Sequence, residues 1–294
     1  MAITDTERIP GNVPDEAIET APARRRRPTW PLLVGLGIFA VVALACIFAP
    51  LLTHYDPTAQ DLLNPGAPPL EGGHLLGTDA PYGRDVLSRL LYGGRADLAI
   101  GLGGTLVTVI VGTIIGLVAG YFGTWVDSVL MRIADVFFAF PFLVLVLAIV
   151  AALGPSLFNV FVAIWAVGWV SYARIIRGQT LATKSQEYVQ AAHVIGSSHI
   201  SVMRRHILPN VVSAAIIFAM ADAVGNILLA AALGYLGLGV QEPAPEWGSM
   251  IASGQNYMVT QWWVPTIPGI AIVIIGIAFS LTGDGLAAYL RPRR

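Results

Sequence analysis

The sequence predicts an all-α integral membrane protein with six membrane-spanning helices. Hydrophobic residues make up 55% of the 294 residues and charged residues only 12%, whereas soluble domains carry about 25% charged residues. Uncharged runs recur along the chain, and several approach the roughly 20 apolar residues that a membrane span needs. Lys and Arg are concentrated in alternate connections between these runs. An ordinary soluble domain is therefore excluded.

Residues 1–29 are expected to form a disordered cytoplasmic tail, because this stretch is polar, contains prolines and shows little periodicity. Its last part holds four consecutive arginines, Arg24 to Arg27, directly before the first apolar run. Beside a span, such a run is typical of a positive-inside anchor and not of a nucleic-acid site, and the net charge of −1 gives no basic field for nucleic acid. The first span is 30–52, which lacks a signal-peptide cleavage pattern.

A polar extracytoplasmic loop, 53–95, follows and ends in HLLGTDAPYGRDVLSRLLYGGRADL. The apolar residues near the end of this segment share one helical face, which predicts a short helix in the membrane interface. His74, Asp79 and Asp85 carry metal-ligating groups, but their spacing matches no standard site, so no metal is expected. The second span, 98–121, is uncharged and rich in Gly and β-branched residues.

The next uncharged run is too long for one helix and is interrupted by Gly154, Pro155 and Ser156. It therefore predicts two spans joined by a tight turn, 133–153 and 157–173. Four spans bring the chain back to the side of its N-terminus.

The connection 174–210 contains a polar helix-turn-helix that is expected to lie outside the bilayer. A first helical arm is followed by a Gly-Ser-Ser break at 196–198, and a second arm ends at Pro209. One face of the first arm is small and apolar, which suits docking into a groove on a partner. That face contains Tyr188, Ala191, Ala192 and Ile195. The second arm is expected to pack on the bundle through Ile200, Met203 and Ile207.

The fifth span, 211–233, contains Asp222 and Asn226. An intramembrane acid points to a functional site, since burying its charge costs at least about 2.5 kcal/mol. The alternative is that Asp222, paired or protonated, hydrogen-bonds a neighbouring helix, and the sequence leaves both interpretations open.

In the extracytoplasmic loop, 234–264, the Gly-rich run with Pro243 and Pro245 is predicted to form a rigid, non-helical hairpin. Its tryptophans are expected to belong to an ordinary aromatic belt at the interface: Trp247, Trp262 and Trp263. The last span is 265–282. With six spans both termini lie on one side, and fourteen of the 17 Lys and Arg residues then fall on that side. The positive-inside rule makes it the cytoplasm.

The chain lacks the motifs of an enzyme. Its only lysine, Lys184, follows no glycine-rich loop, so there is no Walker A site and no ATP hydrolysis is expected. Cys46 is the single cysteine, and neither H-E-x-x-H nor G-x-S-x-G occurs. His193, His199 and His206 are spaced by six and seven residues, which does not place two metal ligands on one helical turn. No cofactor or metal is therefore expected in this chain.

The segment EYVQAAHVIGSSHISVMRRHILPN resembles the EAA loop of ABC-importer permeases, a pattern of roughly E-A-A, three residues, Gly, nine residues and I-x-L-P. The matching residues are Ala191, Ala192, Gly196, Leu208 and Pro209. Gln190 stands where the family often has Glu, and His206 where it often has Ile. The HILPN ending is typical of the dipeptide and oligopeptide subfamily.

Three further segments are similar to that subfamily in the same order. One is the signature before the second span, which includes Gly77, Thr78, Asp79, Gly83, Arg84 and Asp85. Another is AALGYLGLGVQEPAPEWG, and Ala230, directly before it, stands where relatives are expected to have Glu. The third is the closing TGDGL.

The resemblance implies a type I ABC-importer permease domain over 30–294, in a bacterial cytoplasmic membrane and in contact with lipid. Its partners would be a homologous permease, an extracytoplasmic binding protein and two ATPase subunits, which hold the ATP and Mg. The substrate would be di- or oligopeptides, with nickel, glutathione or opines as alternatives. The ATPase-coupling residues would be Glu187, Tyr188, Ala191, Ala192, Gly196, Ser197, Leu208 and Pro209.

A self-sufficient channel or secondary transporter that uses Asp222 is the competing hypothesis. It is disfavoured because no internal repeats or paired broken helices are evident, which many secondary transporters have. Such a carrier would also have no use for a soluble docking loop.

Overall fold

The computed structural model describes residues 30–290, and the expectations for the N-terminal tail and for 291–294 lie outside this range. Within it the chain is helical, with only two isolated β-bridges. We number the principal helices α1 Trp30–Ile47, α2 Val86–Phe122, α3 Thr124–Phe138, α4 Phe142–Leu153, α5 Leu157–Lys184, α6 Glu187–Val194, α7 His199–Tyr235, α8 Trp247–Gly254 and α9 Trp263–Leu290. A further helical turn, Ala49–Leu52, follows α1.

Five helices are long and apolar enough to cross a membrane: α1, α2, α5, α7 and α9. A sixth crossing results if α3 and α4 together form one span, although they meet at an angle of 81°. The predicted all-α membrane architecture is therefore confirmed. The third predicted span, 133–153, is not one straight helix, because Pro141 has no amide hydrogen and disfavours helical backbone at Phe140.

Most helices are longer than the apolar runs that predicted them. The interfacial helix expected before the second span and the span itself form one helix, Val86–Phe122, with a π-helical turn at Ile100–Gly104. The long connections are also partly helical, because α5 extends to Lys184 and α7 begins at His199. Hydropathy locates the membrane core, whereas a helix continues into water until a cap or turn ends it.

Glycines let α2 pack closely on α5. A Cβ atom built at Gly112 would lie 2.4 Å from the Cβ of Tyr172, and one at Gly116 would lie 2.4 Å from the carbonyl oxygen of Ala173. Small residues four apart on one face allow two membrane helices to approach in this way. The α2–α5 pair is thus closely packed along its length in the bundle.

Two of the tryptophans expected in an aromatic belt are core residues. Trp247 and Trp263 are 1% and 6% exposed, and they pack with Cys46 in the cluster between α1, α2, α7, α8 and α9. Their ring nitrogens donate to the carbonyl oxygens of Leu90, at 2.9 Å, and Thr78, at 3.3 Å. The expectation of an aromatic belt is wrong for Trp247 and Trp263, because the N–H of each indole donates to a backbone carbonyl oxygen inside the protein. Trp262 is exposed.

Candidate functional site

The helical hairpin formed by α6, the turn 195–198 and the start of α7 projects from the bundle. Gly196 occupies the left-handed region with φ of 81°. Its amide donates to the carbonyl oxygen of His193 at 3.0 Å, and the amide of Ser197 donates to that of Ala192 at 3.1 Å. These two hydrogen bonds are those of a Schellman motif, in which a glycine ends the helix. Ser198 then caps α7 through the amide of Ser201.

The inner side of this hairpin is packed against the bundle. Val189, Val202 and Ile207 are fully buried in one cluster with Tyr172 and Ile176 of α5. Ala192 belongs to the same cluster and is only 5% exposed, so it supports α6 from within and does not lie on the outer docking face expected for it. The reason is that the inward face of α6 is centred on Val189, three residues before Ala192.

The outer side of the hairpin exposes an apolar tip. Val194, Ile195 and Ile200, on either side of the glycine turn, are 88%, 80% and 72% exposed. Ile200 was expected to pack on the bundle, but Val202 takes that place. Val194 was not recognised in the sequence, although its position beside the turn is the signal that would have found it. We call Val194, Ile195 and Ile200 the apolar tip.

The other residues expected at the coupling loop lie around the apolar tip. Arg204 and Arg205 are exposed on the second arm. The exposed members of the expected set are Glu187, Tyr188, Ala191, Gly196 and Pro209, while Ser197 and Leu208 are half-buried. Most of the expected set is thus accessible to a partner.

Polar contacts fasten the hairpin to the ends of α2 and α5. The hydroxyl of Tyr121 lies 2.7 Å from Nδ1 of His199 and 3.4 Å from Nε2 of His193. Lys184 donates to the carbonyl oxygen of Tyr121 at 2.6 Å. The hairpin is therefore attached to the α2–α5 pair by side-chain contacts as well as by apolar packing.

At the opposite end of the bundle, the signature residues before α2 form a buried ionic clamp. Nε of Arg84 donates to Oδ2 of Asp79 at 2.7 Å, and its Nη atoms lie 3.3 Å from the Glu242 carboxylate. Arg84 and Asp79 are each 2% exposed. Although burial alone lowers the pKa of Arg84, the charges of Asp79 and Glu242 raise it above its ordinary value. We call Asp79, Arg84 and Glu242 the outer clamp.

The remaining signature residues shape the loop that carries the outer clamp. Asp85 caps α2 by accepting from the amide of Ser88 at 2.7 Å, and it lies 2.8 Å from Nδ1 of His74. The hydroxyl of Thr78 donates to the carbonyl oxygen of Asn64. Gly77 and Gly83 both have positive φ, and a Cβ at Gly83 would lie 1.9 Å from the carbonyl oxygen of Asp61. The signature residues thus hold the loop in shape. Within residues 30–290, no group of three His, Cys, Asp or Glu side chains is placed to hold a metal ion.

Asp222 lies on α7 between these two ends. The hydroxyl of Tyr172, on α5, donates to its Oδ2 at 2.9 Å, and the Asn226 amide donates to the same oxygen at 3.3 Å. That amide also donates to the Thr105 hydroxyl at 2.9 Å. Asp222 therefore makes the interhelical hydrogen bonds that were one of its two interpretations. It also lines a cavity of about 490 Å³ between α4 and α7 that is open to the surface of this chain.

Comparison with known proteins assigns the chain to a family. Residues 112–294 match the model of the binding-protein-dependent transport system inner membrane component. The chain belongs to this family. Residues 31–69 of this permease also match the N-terminal TM domain of oligopeptide transport permease C. The expected family membership is confirmed, and the permease is a multi-pass inner-membrane protein.

Individual relatives cover nearly the whole permease. It is 41% identical over 264 residues to the probable D,D-dipeptide transport system permease protein DdpC of Escherichia coli K12, covering 90% of this chain and 88% of the relative. It is 40% identical over 264 residues to the glutathione transport system permease protein GsiD of Pectobacterium atrosepticum, covering 88% and 86%.

A solved structure confirms the fold. A chain of the MetNI methionine ABC transporter, in an inward-facing conformation, superposes with a TM-score of 0.56 at 18% identity and covers 69% of this permease and 97% of that chain. Together with the family match, this confirms the predicted type I ABC-importer permease fold.

The permease contains a buried carboxyl pair just inside the outer clamp. Both carboxylate oxygens of Glu246 cap α8 by accepting from the amides of Gly248 and Ser249, at 2.7 and 2.8 Å. Asp97, on α2, accepts from the amide of Trp247 at 3.1 Å. A Cβ at Gly234 would lie 1.8 Å from Glu246 Oε2, so this glycine makes room for the acid. Burial raises the pKa of Glu246 above its ordinary value of 4.5.

The raised pKa of Glu246 predicts that the permease loses stability as pH rises above about 4.5. An acid with a higher pKa in the folded state binds more protons there than in the unfolded state, so the free energy of unfolding falls with pH until the raised pKa is passed. Thermal unfolding of detergent-purified permease across pH 4 to 8 measures this fall. In Glu246→Gln the slope is expected to flatten, and an unchanged slope would assign the proton to another group.

Proposed function

We propose that this permease is one half of the membrane channel of an ATP-driven importer of di- or oligopeptides. It pairs with a homologous permease, receives substrate from an extracytoplasmic binding protein and is driven by two cytoplasmic ATPase subunits. ATP and Mg belong to the ATPase subunits and not to this chain. The apolar tip carries the proposal, because it exposes three large apolar side chains outside the spans, and exposed apolar patches mark interaction sites.

In this proposal the hairpin is the contact that couples the ATPase to transport. The apolar tip enters a groove on an ATPase subunit, Gly196 sets the turn, and Tyr188 and Ala191 add exposed surface. Ala192 and Val189 hold α6 on the bundle from the inside. Tyr121, through its contacts with His193 and His199, passes the motion of the hairpin to α2.

The same proposal defines which side of the membrane each part of the permease faces. The hairpin and both termini lie in the cytoplasm, and the outer clamp lies outside. The distribution of Lys and Arg supports this orientation, because only Arg84, Arg89 and Arg95 fall on the outer side. Two of these, Arg84 and Arg89, are buried against Asp79 and Glu242, so they add no free positive charge there.

The peptide substrate is supported by the matched oligopeptide permease domain and by the D,D-dipeptide relative. Glutathione is a second candidate, favoured by the glutathione-system relative of nearly equal identity. Glutathione is itself a tripeptide with a free ammonium group, so the two candidates share their chemistry. Nickel and opine import remain alternatives with no observation in their favour.

Purification of a tagged copy from its native membrane in mild detergent tests the assembly. A second permease and ATPase subunits are expected to co-purify and to be identified by mass spectrometry. The reconstituted complex, with its binding protein, is expected to take up labelled dipeptide only when ATP is present. Recovery of the chain alone, still active without ATP, would contradict the proposal and favour the secondary transporter that uses Asp222.

A further inference from the structure

We propose that Asp222 binds the terminal ammonium group of the substrate as it passes through the membrane. This inference deepens the proposed function and rests on it. It assigns a substrate-binding site inside the membrane, in the cavity between α4 and α7, with a carboxylate as its polar group.

The first argument is the position of the carboxylate. Asp222 lines the cavity of about 490 Å³ together with Phe142, Phe218, Gly225 and Leu229. Such a volume is within the range of small-molecule sites, which are apolar with few well-placed polar groups. Of the polar side chains on this wall, the carboxylate of Asp222 is the one that carries charge.

The second argument is the preorganisation of the carboxylate. The Tyr172 hydroxyl and the Asn226 amide both donate to Oδ2, and the Thr105 hydroxyl also lies within hydrogen-bonding reach of the carboxylate. Asn226 is itself held by Thr105 of α2. Three helices therefore fix the direction of Asp222, and a binding group that is already oriented loses little freedom when the ligand arrives.

The third argument is charge. A carboxylate inside the membrane is costly without a partner, and the hydrogen-bond partners of Asp222 are neutral side chains. At pH 7 most peptide amino termini are cationic, because the α-amino pKa is about 7.7–8.0. The ammonium group therefore supplies the missing charge, while the apolar wall accommodates side chains of different kinds.

The test follows the protection of an engineered thiol in the assembled complex. Gly225 lies one helical turn from Asp222 on the same wall, and a Cβ there meets no atom within 4 Å, so Gly225→Cys is tolerated. The natural Cys46 is buried and is replaced by alanine. Dialanine, whose uptake by the reconstituted complex is measured first, is expected to slow maleimide labelling of the thiol that Gly225→Cys introduces.

Selectivity for the ammonium group is the decisive result. The concentration of N-acetyl-dialanine that gives the same protection is expected to be at least about tenfold higher than that of dialanine. The reason is that a charge-assisted hydrogen bond contributes about 1.5–3 kcal/mol. Adding Asp222→Asn is expected to remove the difference between the two peptides. Asp284→Asn is the matched control, because it removes a carboxyl from the neighbouring cavity between α7 and α9 and is expected to preserve the difference.

Several results would overturn the inference. If both peptides protect equally, or if the preference for dialanine is unchanged in Asp222→Asn, then Asp222 does not bind the ammonium group. Loss of the second permease from the Asp222→Asn complex would assign the carboxyl to subunit contact. If dialanine is imported but never protects, this inference fails while the proposed function stands. If no peptide is imported, both fail.

Discussion

Gly196→Val is expected to abolish ATP-driven transport while leaving the amount of permease in the membrane unchanged. A left-handed residue other than glycine costs about 1–3 kcal/mol, and a β-branched side chain is among the worst in that region. The built Cβ of Gly196 meets no atom within 4 Å, so the penalty comes from the backbone and not from a clash. The turn is expected to open and displace the apolar tip, with insertion of the spans unaffected. Uptake into proteoliposomes and immunoblots of membranes measure the two effects.

Two control variants separate the turn from other effects of substitution. Gly196→Asn is expected to keep most of the transport, because asparagine tolerates the left-handed region at a helix C-terminus. Gly178→Val places the same side chain on α5 at a glycine whose Cβ is also unobstructed but whose φ is negative, and it is expected to transport. Full transport by Gly196→Val would contradict a coupling role for this turn.

Arg84→Gln is expected to lower the stability of the permease by about 3 kcal/mol. Removing one partner of a buried ion pair typically costs 3–5 kcal/mol, and the carboxylate of Asp79 is buried. The lower end of this range is expected, because the charge of Arg89 stays close to Asp79. Arg89 lies 3.9 Å from Asp79, which is too far for a hydrogen bond to replace the one lost. The midpoint of thermal unfolding is expected to fall by roughly 5 °C, measured by tryptophan fluorescence in detergent.

Glu242→Gln is the matched control for the outer clamp. The side chain of Glu242 is 45% exposed and its atoms are 3.3 Å from Arg84, so water screens the pair. Its loss is expected to cost less than about 1 kcal/mol. Equal losses in the two variants would mean that the clamp depends on Glu242 as much as on the buried Asp79.

Local signals in the sequence found the helices and the turn, whereas they did not find long-range partners. Gly196 could be recognised because a glycine between two helical patterns has one common structural use. The second partner of Arg84 could not be recognised, because Glu242 is 158 residues away and no pattern in a single sequence joins them. The same limit applies to Tyr172 and Asp222, which are 50 residues apart.

Two local errors have different physical causes. The bend between α3 and α4 was missed although Pro141 is visible in the sequence, because the run from 136 to 153 is uniformly apolar and hydropathy is insensitive to backbone direction. The orientation of α6 was misjudged at Ala192, since alanine fits equally well on a docking face or in a core. Only the burial of the neighbouring Val189 decides between the two.

Helix α7 runs without interruption from the hairpin, past Asp222, to the loop that carries Glu242. Its 37 residues span about 55 Å at 1.5 Å per residue, which exceeds the thickness of the hydrocarbon core. One continuous backbone therefore joins the hairpin to the outer loop, and its π-helical turn, Met203–Ile207, lies near the hairpin end. In the proposed importer, a rotation of α7 at the hairpin would displace its far end sideways, in addition to any motion passed on through Tyr121.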